Sequence, residues 1–118
     1  MDFKPFDTRF YPTLSVADGY AEWAATYDDA VQDEMDIRLL ERLETVPWAK
    51  IDSAIDLACG TGRLAVWLKR RGVARLEGVD LSDEMMAQAR AKQVYAVLHR
   101  ADVRDTGLPA GDFDLAVM

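Results

Sequence analysis

Cysteine and histidine are almost absent: Cys59 and His99 are single copies in 118 residues. One of each cannot build a structural zinc site, so no metal is expected, and a lone cysteine cannot close an internal disulfide. That usage fits a reducing cytoplasm, the expected location. Long apolar runs are missing too. No stretch approaches the ~20 residues that a bilayer-crossing helix needs. The opening "MDFKPFDTRFYPTL" has neither an apolar core nor a small-residue cleavage site, so it does not read as a secretory signal. Positive charge is in deficit, with 14 Lys and Arg against 21 Asp and Glu, a net charge of −7. Nucleic acid and anionic membranes both reward a basic surface, so neither is an expected partner. Lys69, Arg70, Arg71 and Arg75 lie close in sequence. They form either a local basic patch or, for three of them, the cationic end of a helix.

Half of the residues are hydrophobic, enough for one small domain with a modest core. Residues 1–50 read as an N-terminal arm and cap helices, and residues 51–118 as the ligand-binding core. In the arm, Phe3, Phe6, Phe10 and Tyr11 stand among prolines and charges. Ser15 can cap a first helix carrying Tyr20, Trp23, Ala24 and Tyr27 on one face, with Asp28 and Asp29 as breakers. A second helix is predicted from the stripe Val31, Met35, Leu39 and Leu43, with Leu40 beside it and Pro47 as its stop.

From Ile51 the pattern becomes strand, loop, helix, repeated. "SAIDLA" predicts strand one, and Gly62 to Arg71 a helix with Leu64, Ala65 and Leu68 inward and Gly72 as terminator. "ARLEGVD" predicts strand two. Ser82 then caps a helix that has Asp83 and Glu84 in its first turn and Met85, Met86 and Ala89 on its apolar side. "VYAVLHRAD" predicts strand three and "FDLAVM" strand four. Alternating strands and helices imply an α/β fold, a Rossmann-like, doubly wound parallel sheet.

Ligands of such sheets lie beyond the carboxyl ends of the strands. Strand one ends in Asp56 and the turn Gly60-Thr61-Gly62, strand two in Asp80, and strand three in Asp102. The glycines permit a tight turn and close backbone approach. The amides opening the next helix favour a negative group. Asp80, twenty residues after Gly60, can accept both hydroxyls of a ribose. Asp102 can meet the exocyclic amine of a base, and the Val103 N–H a ring nitrogen. Leu81, Met85 and Met86 offer apolar contact to a flat ring. Together these describe an adenosine site.

Two ligands share that adenosine. Gly60-Thr61-Gly62-Arg63-Leu64-Ala65 satisfies the loose dinucleotide pattern G-x-G-x-x-G/A, which would make this a nicotinamide-dependent oxidoreductase. Asp56 argues the other way. A carboxylate against a pyrophosphate is repelled by roughly 1–4 kcal/mol at contact range. A methionine tail carries an ammonium and a sulfonium, which an acid attracts, and a carboxylate that backbone amides can hold.

"IDLACGTGRLAVWL", "LEGVDLSDEMMAQAR", "ADVRDTGLP" and "FDLAVM", in that order, resemble the successive motifs of class I S-adenosylmethionine-dependent methyltransferases of the bacterial small-molecule type. "YAEWAATYD" resembles a short segment that precedes the core in many of them. The resemblance covers about residues 20–118. It implies S-adenosylmethionine as cofactor, S-adenosylhomocysteine as product, and a small-molecule acceptor. It implies that the turn from Asp56 through Ala58, Cys59, Gly60, Thr61 and Gly62 holds the methionine end. Asp80 would take the ribose, and Asp102 and Val103 the adenine, with Leu81 and Met85 beside it. Tyr20, Trp23 and Tyr27 would either cover the ligand or pack on the sheet. Ala58 departs from the glycine found there in many members. The family's sheet has seven strands in the order 3-2-1-4-5-7-6, whereas this sequence stops at Met118, the end of strand four. The expectation is therefore a piece of a longer enzyme, whose apolar fourth strand is an open edge; alone it would aggregate, pair with another chain, including self-association through that edge, or be poorly ordered. A catalytically silent ligand-binding fragment stays open as an alternative. No catalytic residue is assigned; Asp7, Asp28 and His99 read more readily as solvated or structural groups than as bases.

Overall fold

Parallel strands need a crossover of a dozen or more residues between them, and the helical patterns of this chain supply two such crossovers. The computed structural model describes residues 14–30 and 35–118. Strands β1 (Ser53–Leu57), β2 (Arg75–Asp80), β3 (Val97–Arg100) and β4 (Leu115–Val117) form one sheet in the order β3-β2-β1-β4. Every pairing is parallel, with Asp56 level with Gly78 on one side and Val117 on the other. The order agrees with the 3-2-1-4 portion of the expected sheet.

Five helices are described: α1 (Val16–Trp23), α2 (Tyr27–Ala30), α3 (Met35–Glu41), α4 (Arg63–Arg70) and α5 (Asp83–Ala91). α4 joins β1 to β2, and α5 joins β2 to β3. β1 is buried from Ser53 to Asp56, as befits a central parallel strand. The core gathers Ile51, Ala54, Ala65, Trp67, Leu68, Val73 and Leu76, so α4 turns Ala65 and Leu68 inward as its spacing requires. Gly72 terminates that helix at φ +97°. Ser82 caps α5 by accepting the Met85 N–H, and Met85, Met86 and Ala89 are buried beneath it. The entry to β4 is pinned to β1 by Asp114, whose carboxylate accepts the Asp52 and Ser53 N–H groups at 2.9 and 3.1 Å. Those two amide bonds hold the Asp114 carboxyl below the usual carboxylate range. β4 pairs only with β1 among the described residues, so it is the edge strand that was expected.

Several elements differ from the sequence reading. The first helix is not continuous: Ser15 caps α1, but a tight 3-10 turn at Ala24–Thr26 separates α1 from α2. Thr26 sits there with its hydroxyl 3.5 Å from the Trp23 carbonyl, a local bond that competes with helix continuation. α3 is shorter than its apolar stripe and turned differently. Met35, Leu39 and Leu43 are exposed, while Ile37 and Leu40 pack against the core. Two apolar stripes compete on that segment, and the one that packs against the core, as Val46 and Trp48 do, wins. Val31, Asp7 and the arm aromatics Phe3, Phe6, Phe10 and Tyr11 lie outside the described residues. β3 begins at Val97 rather than Val94, because Gln93 takes φ +56° and the chain dips at Tyr95 before it joins the sheet. Lys69 and Arg70 form the last turn of α4, the cationic helix end that was one of the two alternatives, and three of the four cations have partners. Lys69 donates to the Ala74 carbonyl, Arg71 lies over the Trp48 and Trp67 rings, and Arg75 pairs with Glu77. Among the described residues no helix is long and apolar enough to cross a membrane.

Candidate functional site

β1 leaves its ladder at Leu57, and Ala58 turns with φ +54°. In that left-handed region an L side chain crowds the following carbonyl, at a cost of ~1–2 kcal/mol. This accounts physically for glycine at the equivalent place in many members of the resembled family. Gly60 (φ +55°) and Gly62 (φ +86°) complete the turn, and Gly62 opens α4 without a side-chain cap. The first amides of α4 therefore receive no acceptor from their capping residue.

Asp80 anchors this turn from the end of β2. One carboxylate oxygen accepts the Gly60 N–H at 2.8 Å and the other the Ser82 N–H at 2.9 Å. Each oxygen keeps a second lone pair for a ligand hydroxyl. Asp56 is in a different setting. It is 2% exposed and accepts the Tyr95 hydroxyl at 2.7 Å. Burial pushes its carboxyl up to about 6, against the downward pull of the Tyr95 bond and with a further rise from the Asp80 charge. Burial, then the Asp56 and Asp80 charges, push the Cys59 thiol up to about 12, so it is a neutral packing group and not a nucleophile. Asp102 lies just past β3 and is bound by Arg104 through Nε at 2.9 Å and Nη2 at 2.5 Å. Those bonds hold its carboxyl at about 2.

Two cavities open over these strand ends. The smaller, about 470 Å³, is bordered by Tyr20, Asp80, Leu81, Met85, Asp102 and Val103. The larger, about 800 Å³, is bordered by Asp56, Cys59, Thr61 and Arg63 and by a leucine wall including Leu39, Leu40 and Leu43. Tyr27, Ala58 and Gly60 border both, so the two are halves of one cleft. The structure thus brings together twelve of the thirteen predicted site residues. The exception is Gly62, which borders neither half and instead packs against Tyr95. Trp23 also borders neither. It stands between Tyr20 and Tyr27, with ring centroids 6.3 and 4.5 Å away. Tyr20 and Tyr27 thus border the cleft, and Trp23 does not.

Three contributors were not foreseen. Tyr95 was assigned to a strand. Lys92 donates to Asp28 and to the Thr61 carbonyl, both at 2.6 Å, while Thr61 donates to Asp28 at 2.5 Å. Burial raises the Asp28 carboxyl, but the Lys92 and Thr61 bonds outweigh it and leave the group below its usual range. Asp28 thus clasps α2 to the glycine turn. Arg104, two residues from Asp102, is the third, and its nearness in sequence is the signal for the pairing. His99 pairs with Glu77 at 2.7 Å, and neither residue borders the cleft.

Comparison with known proteins decides what family this cleft belongs to. Residues 54–118 match the model of a family described as "Methyltransferase domain". The chain belongs to that family. Its motif-by-motif resemblance to class I S-adenosylmethionine-dependent methyltransferases stands with it, and none of the relatives found supports the dinucleotide reading of the glycine turn. A trans-aconitate 2-methyltransferase of Rhizobium rhizogenes is 36% identical over 94 residues, which are 79% of this chain and 36% of that protein. A dTDP-3-amino-3,6-dideoxy-alpha-D-glucopyranose N,N-dimethyltransferase of Streptomyces fradiae is 42% identical over 59 residues, 50% of this chain and 23% of that one. Among solved structures, a DhpI–SAM–HEP complex superimposes with a TM-score of 0.64 at 28% identity, covering 88% of this chain and 51% of the other. The chain thus spans about a third of the length of the first curated relative.

Proposed function

We propose that this methyltransferase-family chain binds S-adenosylmethionine along the joined cleft, and that the protein transfers its methyl group to a small-molecule acceptor. The observation that carries the reading is the pair of acids at adjacent strand ends, Asp56 and Asp80, one in each half of a cleft joined at Gly60.

The residues present suit such a ligand. The smaller half has the lone pairs of Asp80 for ribose hydroxyls and the Val103 amide for a ring nitrogen, with Leu81 and Met85 for apolar contact. Asp102 would serve the exocyclic amine in competition with Arg104, which already occupies both of its oxygens. The larger half offers Asp56 to an ammonium and the uncapped first turn of α4 to a carboxylate. Tyr20 and Tyr27 would roof the joint between the halves, a lid role for the N-terminal helices. When bound, the cofactor supplies a methyl group on a positively charged sulfur, already a good leaving group. What remains for the protein is alignment of the acceptor and exclusion of water. The leucine wall of the larger half suits water exclusion. A small-molecule acceptor agrees with the net charge and with the substrates named for the two relatives.

Calorimetric titration tests the reading. S-adenosylhomocysteine should bind and NAD should not. Saturation at ~100 times the dissociation constant should stabilise the fold by about 2.7 kcal/mol. Binding of NAD in place of S-adenosylhomocysteine would return the chain to the oxidoreductase reading.

A further inference from the structure

Tyr95 reaches the cleft floor through a slot that two glycines leave open. Gly78 is the register partner of Asp56 on β2. A Cβ added at Gly78 would lie 2.8 Å from Tyr95 Cε1, and one at Gly62 would lie 3.0 Å from Cε2. The ring therefore lies where any larger residue on β2 or at the head of α4 would displace it. Its hydroxyl ends 2.7 Å from Asp56 Oδ2. A nearly fully buried carboxylate needs such a donor to stay ionised, since burial disfavours its charge.

We propose that Tyr95 is a positioning residue for cofactor binding: its hydroxyl, delivered through the Gly62–Gly78 slot, fixes the Asp56 carboxylate in the anionic state and orientation that receive the cofactor's ammonium group. This rests on the role given to Asp56 above and extends it to a residue that touches no ligand. Among the described residues Tyr95 is the side chain hydrogen-bonded to Asp56, and the same hydroxyl also lies against the Cys59 thiol. Asp80, at the end of β2, repels its charge, and the Cys59 thiol stays neutral. Across the larger cavity Asp36 and Arg63 face each other at 3.3 Å. Binding of an ammonium ligand then weakens as pH falls toward the range where Asp56 takes up a proton, and losing the tyrosine hydroxyl moves that loss to higher pH.

The test titrates two ligands into the full-length protein between pH 5 and 8. One is S-adenosylhomocysteine. The other is methylthioadenosine, which has the nucleoside but no amino-acid end. Tyr95→Phe should weaken S-adenosylhomocysteine roughly tenfold at pH 7, the size of a lost hydrogen bond to a charged group. It should shift the acid limb of the binding profile upward and leave methylthioadenosine unchanged. If Tyr95→Phe leaves affinity and pH profile intact while Asp56→Asn weakens binding, the role of Tyr95 is overturned and that of Asp56 survives. If Asp56→Asn also binds normally, the reading of Asp56 falls and takes the proposal with it. If Tyr95→Phe loses both ligands alike, the tyrosine serves only the fold, and the proposal is equally overturned.

Discussion

The floor and the roof of the cleft are built in opposite ways. The floor rests on β1, β2, α4 and α5, where Ala54, Ala65, Leu68, Leu76, Val79 and Ala89 are wholly buried. Its polar groups are tied by short bonds from Asp80 and Tyr95. The roof, α1 to α3, buries no residue within either α1 or α3 and shows Val16, Tyr20, Trp23, Met35 and Leu39 to solvent. It is attached by buried Ala24, by the Asp28–Lys92–Thr61 clasp, by the Asp36–Arg63 pair and by Ile37 and Leu40 against the core. A rigid floor fixes recognition geometry before the ligand arrives. Under the proposed lid role, a roof that buries so little can open and close at small cost and would gain its missing burial from the ligand.

The sharpest way to break this comparison is at the floor's least comfortable group. The folded Asp56 carboxyl titrates near 6 against an ordinary value of 3.8, so the native state binds the extra proton between those values. Stability from this group therefore falls as pH rises from about 4 through 6, and the cost at neutral pH reaches up to about 3 kcal/mol. Asp56→Asn should stabilise the ligand-free protein at pH 7 by part of that amount, while weakening S-adenosylhomocysteine. Urea unfolding at pH 5 and 7 checks it: the wild type should gain stability at pH 5 relative to the variant. Asp28 and Asp114, held below their usual range, act with the opposite sign. Their contributions are lost only as pH falls below about 4, outside this window.

The roof should respond less in stability and more in kinetics. Lys92→Met removes the cation that ties Asp28 to the turn. The pair is partly exposed, so about 1 kcal/mol or less of stability should go. The ligand's dissociation rate, read by stopped-flow, should rise several-fold. An unchanged rate would mean that the clasp does not hold the roof. Smallest of all, Ala58→Gly relieves the left-handed alanine at the joint of the two halves. It should raise the midpoint of thermal unfolding by a degree or two, the relief of ~1–2 kcal/mol being partly offset by glycine's greater chain entropy.

The same division marks what could be read from residues alone. Strand order and the acids Asp56 and Asp80 were legible because parallel strands, glycine turns and capping residues are local signals. Twelve predicted site residues border one cleft for that reason. Tyr95 was not legible: "VYAV" has a strand's composition, and the slot it enters exists only when Gly62 and Gly78 are brought together. α3 was misread because Met35, Leu39 and Leu43 make as good a stripe as Ile37 and Leu40, and only the neighbouring core chooses between them. The tie between Asp102 and Arg104 lay two residues apart in plain sight. Its effect on the proposed adenine contact emerges only from the geometry.

A crystal structure of the full-length protein grown with S-adenosylhomocysteine tests the joined cleft most directly. The ribose hydroxyls should sit on Asp80, the adenine against Leu81 and Val103, and the ammonium group beside Asp56 with Tyr95 behind it. A ligand bound elsewhere on the molecule, or one whose amino-acid end turns away from Asp56, would contradict the account.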